Sequence, residues 1–459
     1  VRKKLHIYAV QYKLIRREKM YNYKNKLITV EEAVRFVKSG DDIVTGLGPA
    51  VAHGFMSKLH TVAEKVSGVT VNVSLCLNSY DFFADPKYSN SFMAESWFLT
   101  PPLRAAMKNG SVSYMPCHLQ YCAIKRLKYK PVAIYVGTAS MPDEEGYVTL
   151  SLSDSHEMRM LKEAAIKILE INPNYPVVYG DHKVHLSEID YVIEQDYMPP
   201  VSPDAPVNEK DEIIGNLIAE RINDGDTIQL GIGGIPNAVS NALKDKKDLG
   251  VHTELFTTGM MRLMKAGVIN NSKKTLNPGK AVAAFIMGTP DLYEFVDKNP
   301  EILIRESAYS NNPYVIAQND NMVSINTSIE VDVTGQCCSE SIASRQFSGT
   351  GGQTDTAAGA QLAKNGKSFI ALYSTAMVKN AQGEKEEISK IVSRLKPGAI
   401  VSLMRNDLDY LVTEYGIVNV KGLDVFERTE KIISIAHPKF RDDLMREAYE
   451  YGIIQKRVF

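Results

Sequence analysis

Three short strings of residues could do chemistry. The first is Gly231-Ile232-Gly233-Gly234-Ile235-Pro236, between a β-branched apolar stretch and a segment with helical spacing. Glycines there let backbone N–H groups face a ligand closely. A helix N-terminus adds partial positive charge. Such a loop suits a phosphate or a developing oxyanion, with the oxyanion expected near Gly233 and Gly234; a plain tight turn is the alternative. The second string is Gly349-Thr350-Gly351-Gly352-Gln353, which follows a strand-rich stretch containing Asn326. Two such loops far apart in the chain predict a long, phosphate-bearing ligand held at several points. The third string is GVHTEL at 250–255, which carries the acid Glu254.

Other chemistries fit less well. GxGxxG followed by an acid about 20 residues on is the dinucleotide fingerprint. Here Pro236 takes the place of the third glycine, so an NAD-dependent dehydrogenase is only a distant alternative and no NAD is expected. His252 lies two residues before Glu254, and strand alternation would put both on one face. Without a further ligand nearby, and with no H-x-x-E-H or CxxC pattern, no metal site is expected. His252 and His437 read as structural. No Gly-x-Ser-x-Gly elbow supports a serine hydrolase.

The elements around these strings alternate between strand and helix. TVEEAVRFVK at 29–38 opens with a capping-box signature, and VTVNVSLCLN at 69–78 and VAIYVGTA at 132–139 read as buried strands. The alternation implies largely parallel sheets of the βαβ type. MPPVSPDAPV at 198–207 has four prolines, which neither a helix nor a central strand tolerates, so it marks a linker. Residues 1–26 are read as an N-terminal extension whose place in the native protein is open. Met20 is a candidate true start, and an amphipathic targeting peptide is the weaker reading. Residues 27–200 form an N-terminal domain and 207–459 a C-terminal domain.

The two halves echo each other. Gly40, Asp41, Ile43, Gly46 and Gly48 match Gly225, Asp226, Ile228, Gly231 and Gly233, and each set precedes a strand that begins Gly-Val. This predicts two similar open α/β domains with the active site at their interface. The fifth residue of the Gly-Val strand is Asn72 in the first half and Glu254 in the second, so the acid marks the half that carries the chemistry. Trp97, Tyr80 and Met260 are weak candidates for the pocket wall.

Composition excludes several function classes. The chain has 459 residues, 44% hydrophobic and 23% charged, with a net charge of −1. No basic field is available for a nucleic-acid backbone. No apolar run approaches the ~20 residues that span a bilayer. Five scattered cysteines argue for reduced thiols and a soluble, cytoplasmic protein.

These motifs together resemble the acetyl-CoA hydrolase/transferase family, and within it the 4-hydroxybutyrate and butyryl-CoA:acetate CoA-transferases. The resemblance rests on VVYGDHKVHLSEID at 177–190, IQLGIGGIPNAV at 228–239, LGVHTELFTTGM at 249–260, FSGTGGQTDTAAGA at 347–360, RNDLDYLVTEYGI at 405–417 and ISIAHPKFRDDL at 433–444. It runs from about Leu27 to the C-terminus. It implies that Glu254 is the nucleophile. It also implies that Gly231, Ile232, Gly233, Gly234, Ile235, Asn326, Gly349, Gly351, Gly352 and Gln353 contact coenzyme A, bound as substrate with no metal. The implied reaction is ping-pong exchange between a short-chain acyl-CoA and a carboxylate such as acetate, in fermentative butyrate metabolism, by a homo-oligomer. Acyl-CoA hydrolysis at the same site is the alternative. Two departures stand out: Thr356 where the family often has Phe, and Lys379, displaced from the position of a frequent lysine.

Overall fold

A computed structural model describes residues 21–380 and 382–455. The chain forms two open α/β units, each built on its own sheet. In the N-terminal unit seven strands run parallel: β1 (Asp42–Thr45), β2 (Val69–Asn72), β3 (Phe92–Ser96), β4 (Val112–Tyr114), β5 (Ile134–Ala139), β6 (Ile166–Ile171) and β7 (Tyr191–Glu194). Their spatial order is β4-β3-β2-β1-β5-β6-β7. Alternating residues feed two apolar layers. Ile43, Val136 and Ile168 enter one, and Val44, Tyr135 and Leu169 enter the other. Burial on both faces is what a parallel sheet requires.

The C-terminal unit repeats the plan with β8 (Thr227–Leu230), β9 (Gly250–Val251), β10 (Met322–Thr327), β11 (Lys367–Ala371), β12 (Tyr410–Thr413) and β13 (Gly416–Asn419). The order is β9-β8-β10-β11-β12-β13, antiparallel only between the last two. The central strands β1 and β8 are equivalent, since each is flanked by the Gly-Val strand on one side. One matched glycine pair also shares its backbone geometry: φ is +79° at Gly40 and +83° at Gly225. The expected duplication is therefore visible in the fold.

Local signals act where expected. Thr29 forms a capping box with Glu32, although the helix it opens is short, Val30–Ala33, and tightens into a 3-10 turn. Residues 198–207 carry no regular element. Asn208 then caps helix α1 (Glu209–Ala219) through a second capping box with Asp211. Of the segment read as an extension, residues 21–26 pack on the N-terminal unit: the Lys26 ammonium donates to the carbonyls of Leu186 and Ser187 at 2.8 and 3.0 Å. The expectation of a start at Met20 lies outside the described residues.

One reading changes. His252 and Glu254 do not share a strand face. The chain ends β9 at Val251, makes a single bridge from His252 to Val282, and bends at Glu254. It bends because its pairing partner changes. The Glu254 carbonyl accepts from the N–H groups of Ala284 and Phe285, at 2.9 and 3.1 Å. In the first half Asn72 stays within β2, buried, paired in register with Val44 and Glu95.

Candidate active site

Glu254 sits at that bend, where the two units meet. Its carboxylate projects into a cleft of about 1090 Å³, its mouth included. One oxygen, Oε2, accepts from the Asn311 side-chain amide at 3.0 Å, and the carboxylate also accepts the backbone N–H of Gly352. Burial pushes its pKa up to about 7, and these two donors oppose the shift.

Gly352 belongs to the second glycine loop, which leads into helix α3 (Gln353–Leu362). A Cβ on Gly352 would overlap Glu254 Oε2 and Asn311 Nδ2, so only glycine lets this backbone approach the acid. A Cβ on Gly349 would strike the carbonyl of Trp97, in the other unit. The loop is tied across the interface elsewhere too. The Leu119 N–H donates to the Gly351 carbonyl at 3.1 Å, and the Gln120 amide donates to Asp355 Oδ1 at 2.6 Å. Glu340 accepts from Thr350 Oγ1 at 2.7 Å and from the Tyr114 hydroxyl at 3.1 Å.

The central strands add a polar network. Alternation sends Ile228, Leu230, Val323 and Ile325 into the core. It sends Gln229, Ser324 and Asn326 to the opposite face, toward α3. There the Asn326 amide donates to Ser324 Oγ at 3.0 Å and to Thr356 Oγ1 at 3.1 Å, while Ser324 Oγ donates to Gln229 Oε1 at 2.8 Å. A phenylalanine at 356 would remove the hydroxyl that Asn326 and Ser324 share, so the departure at Thr356 has a local role. The Gln353 amide nitrogen donates to the Thr327 carbonyl at 2.9 Å, but its buried Oε1 has no partner. An unmet acceptor there fits a ligand N–H.

The cleft has two kinds of wall. Leu47 and Leu75 from the first unit meet Leu255, Phe285 and Met287 from the second in one apolar cluster, with Phe98 against it. In the N-terminal unit Glu157 positions the Gly46–Gly48 turn: its Oε1 accepts the Leu47 N–H at 2.7 Å. Gln229, Asn326, Thr327, Ser339, Thr350 and Gln353 make the polar part of the lining. None of the described residues lining the cleft is basic.

Most of the expected site residues converge here. Gly231, Ile232, Glu254, Asn326, Gly349, Gly351, Gly352 and Gln353 all line the cleft. Gly233, Gly234 and Ile235 do not. Gly233 is the N-cap of helix α2 (Gly234–Ala242), and Ile235 packs into the core. Trp97 lines the cleft, whereas Met260 is core and Tyr80 borders a separate cavity. Lys379 stands exposed on a hairpin, away from the cleft. His252 is buried with Nε2 on the Ser310 carbonyl at 2.9 Å, and burial pushes its pKa down to about 3. His437 caps a short turn by accepting the Lys439 N–H. Among the described residues no cluster of His, Cys, Asp and Glu could hold a metal ion, and no helix is long and apolar enough to cross a membrane.

Sequence reasoning missed two residues. Asn311 follows the short helix Ser307–Ser310, 57 positions from Glu254. Its only signal is an Asn-Asn-Pro turn. Asp355 is buried beside the site, where burial first and the Glu254 charge second push its pKa up to about 7, against the Gln120 bonds.

Comparison with known proteins adds to this geometry. The model of the acetyl-CoA hydrolase/transferase N-terminal domain matches residues 12–202, and that of the C-terminal domain matches 288–448. A Geobacter metallireducens protein named succinyl-CoA:cyclohexane-1-carboxylate CoA transferase is 39% identical over 93% of this chain and 95% of its own length. A butyryl-CoA:acetate CoA-transferase from Anaerostipes caccae is 35% identical over 93% and 96%. The crystal structure of a 4-hydroxybutyrate CoA-transferase from Porphyromonas gingivalis superposes with a TM-score of 0.76 at 34% identity, covering 94% of this chain and 98% of that one.

Proposed function

Since this chain belongs to the acetyl-CoA hydrolase/transferase family and is a CoA-transferase, we propose that it exchanges coenzyme A between short-chain acyl groups through a covalent thioester on Glu254. The donor is butyryl-CoA or 4-hydroxybutyryl-CoA, and the acceptor is acetate. The observation that carries this reading is the carboxylate of Glu254, desolvated in the cleft and held by the Asn311 amide and the Gly352 N–H.

The ionised carboxylate attacks the acyl-CoA carbonyl. An acyl-glutamyl anhydride forms and CoA thiolate leaves. The thiolate then attacks the glutamyl carbonyl, the original acid departs as its carboxylate, and Glu254 carries CoA as a thioester. Acetate reverses the sequence. A carboxylate suffices as nucleophile because the thioester is already activated and the groups are held together. The Asn311 amide and the Gly352 N–H face the oxygen on which negative charge collects in each tetrahedral intermediate of the glutamyl carbonyl.

The two walls divide the substrate. The polar wall, with the unmet Gln353 acceptor, suits the amide-bearing arm of coenzyme A. The apolar wall suits the acyl chain. A carboxylate-bearing acyl group such as succinyl would find no cation there, and burying it unpaired is costly. The apolar wall also keeps water from the thioester, which favours transfer over hydrolysis at the same site.

Borohydride trapping tests the covalent step. Protein incubated with butyryl-CoA and no acceptor acid, then reduced, should lose activity and show an altered mass on the peptide holding Glu254. An unmodified peptide after full exposure would sink the proposal.

A further inference from the structure

The segment from Cys117 to Cys122 is fastened to the catalytic loop. Leu119 and Gln120 lie between the two thiols, and they bond to Gly351 and Asp355. Both cysteines line the same cleft as Glu254. The Cys122 thiol is buried and lies near both the His118 carbonyl, at 3.7 Å, and the Cys117 sulfur. Cys117 is only partly buried, whereas Cys76, Cys122, Cys337 and Cys338 are buried.

The environments of the two thiols differ in the useful direction. A hydrogen bond from Cys122 and the nearby Lys125 charge lower the Cys117 pKa. Burial raises that of Cys122 well above its ordinary value, so it remains the protonated donor. A thiolate-prone, reachable sulfur beside a protonated, buried one is the arrangement of an attacking and a resolving thiol. The transferase chemistry proposed above uses neither sulfur.

We infer that Cys117 is a site of thiol–disulfide exchange for the disulfide form of coenzyme A, delivered by the cleft. The inference rests on the proposed CoA-binding role of that cleft. The Cys117 thiolate attacks one sulfur of the CoA disulfide. A protein–CoA mixed disulfide forms, the S–S bond of the reagent breaks, and one CoA thiolate leaves and takes up a proton. Cys122 then loses its proton to solvent and attacks the Cys117 sulfur, expelling the second CoA. In sum two protein thiols are oxidised to a disulfide and one CoA disulfide is reduced to two CoA thiols. Either product occupies the cleft wall beside Glu254 and stops turnover.

The test uses the reduced full-length protein. It is treated with CoA disulfide or, in parallel, with glutathione disulfide at equal concentration, and mapped by peptide mass spectrometry. CoA disulfide should modify Cys117 at least tenfold faster than glutathione disulfide does. Activity should fall with the modification and return with dithiothreitol. The Cys122→Ser protein should retain the mixed disulfide, whereas in wild type it resolves. Cys117→Ser should resist inactivation relative to its own untreated rate. Equal rates with the two disulfides, or a Cys117 that stays reduced, would overturn the inference. CoA transfer by the reduced, untreated protein is assayed separately, and its absence would strike at the transferase reading instead.

Discussion

The Asn311 side-chain amide donates to Glu254 Oε2 at 3.0 Å, although Asn311 arises from a turn and Glu254 from a bend between strands. This bond fixes the orientation of the carboxylate in the cleft.

Asn311→Ala should therefore lower kcat by roughly 10²–10³ without unfolding the protein. Loss of a donor that lowers the Glu254 pKa should also move the acid limb of the pH–rate profile upward. Steady-state rates across pH, with circular dichroism as the folding control, check both. A wild-type profile in the variant would remove Asn311 from the mechanism.

Transfer should depend on pH near neutrality. Burial pushes the Glu254 pKa up to about 7, and the proposed attack needs the ionised form, so kcat/KM should rise as pH passes upward through about 7. Asp355, also near 7 and coupled to it, makes the observed values those of the pair. Gln120→Leu, which removes the side-chain donor on Asp355, should keep Asp355 neutral to higher pH, ease the ionisation of Glu254 and shift the profile to lower pH.

Stability carries the opposite sign. The folded pKa of Glu254, about 7, lies above its ordinary value of 4.5. The folded state then binds the proton more tightly, and stability falls as pH rises between those values. The cost is complete above about 7 and absent below 4.5. Glu254→Gln should abolish transfer yet gain about 1–3 kcal/mol over wild type at pH 8 and little at pH 4. Denaturant melts at the two pH values measure the difference.

Gly352→Ala should be as damaging as loss of Asn311, because the added methyl overlaps Glu254 Oε2. A kcat reduced by at least ~10², with folding retained, is expected. Gly349→Ala should instead loosen the contact with Trp97 and lower the melting temperature. Finding the two effects exchanged would count against this division of roles.

Acyl preference should follow the apolar wall. Butyryl-CoA should exceed succinyl-CoA in kcat/KM by at least ~10², because none of the described residues lining the cleft offers a basic partner to a second carboxylate. Met287→Ala should shift preference toward longer chains by about tenfold. A panel of acyl-CoA donors with acetate decides this.

Much of the protein could be read from its sequence. Glycines before helices, the capping residue Thr29, and β-branched runs act within a few residues. Their steric and hydrogen-bonding rules hold before any tertiary contact forms. The repeat of Gly40–Gly48 at Gly225–Gly233 likewise announced two similar units, and the strings around Glu254 and Gly352 marked the family. The strand assignment through Glu254 failed because the sheet partner changes there, a choice made by Val282 and Phe285 rather than by local propensity.

The tertiary structure decided which distant groups meet. Asn311 reaches Glu254 across 57 residues, Gln120 reaches Asp355 across 235, and Leu47 and Leu75 share a wall with Met287. Nothing in the types or spacing of these residues names the partner, because each pairing results from how two sheets pack. The Glu254 pKa has the same origin: a glutamate is ordinary until a fold removes its water.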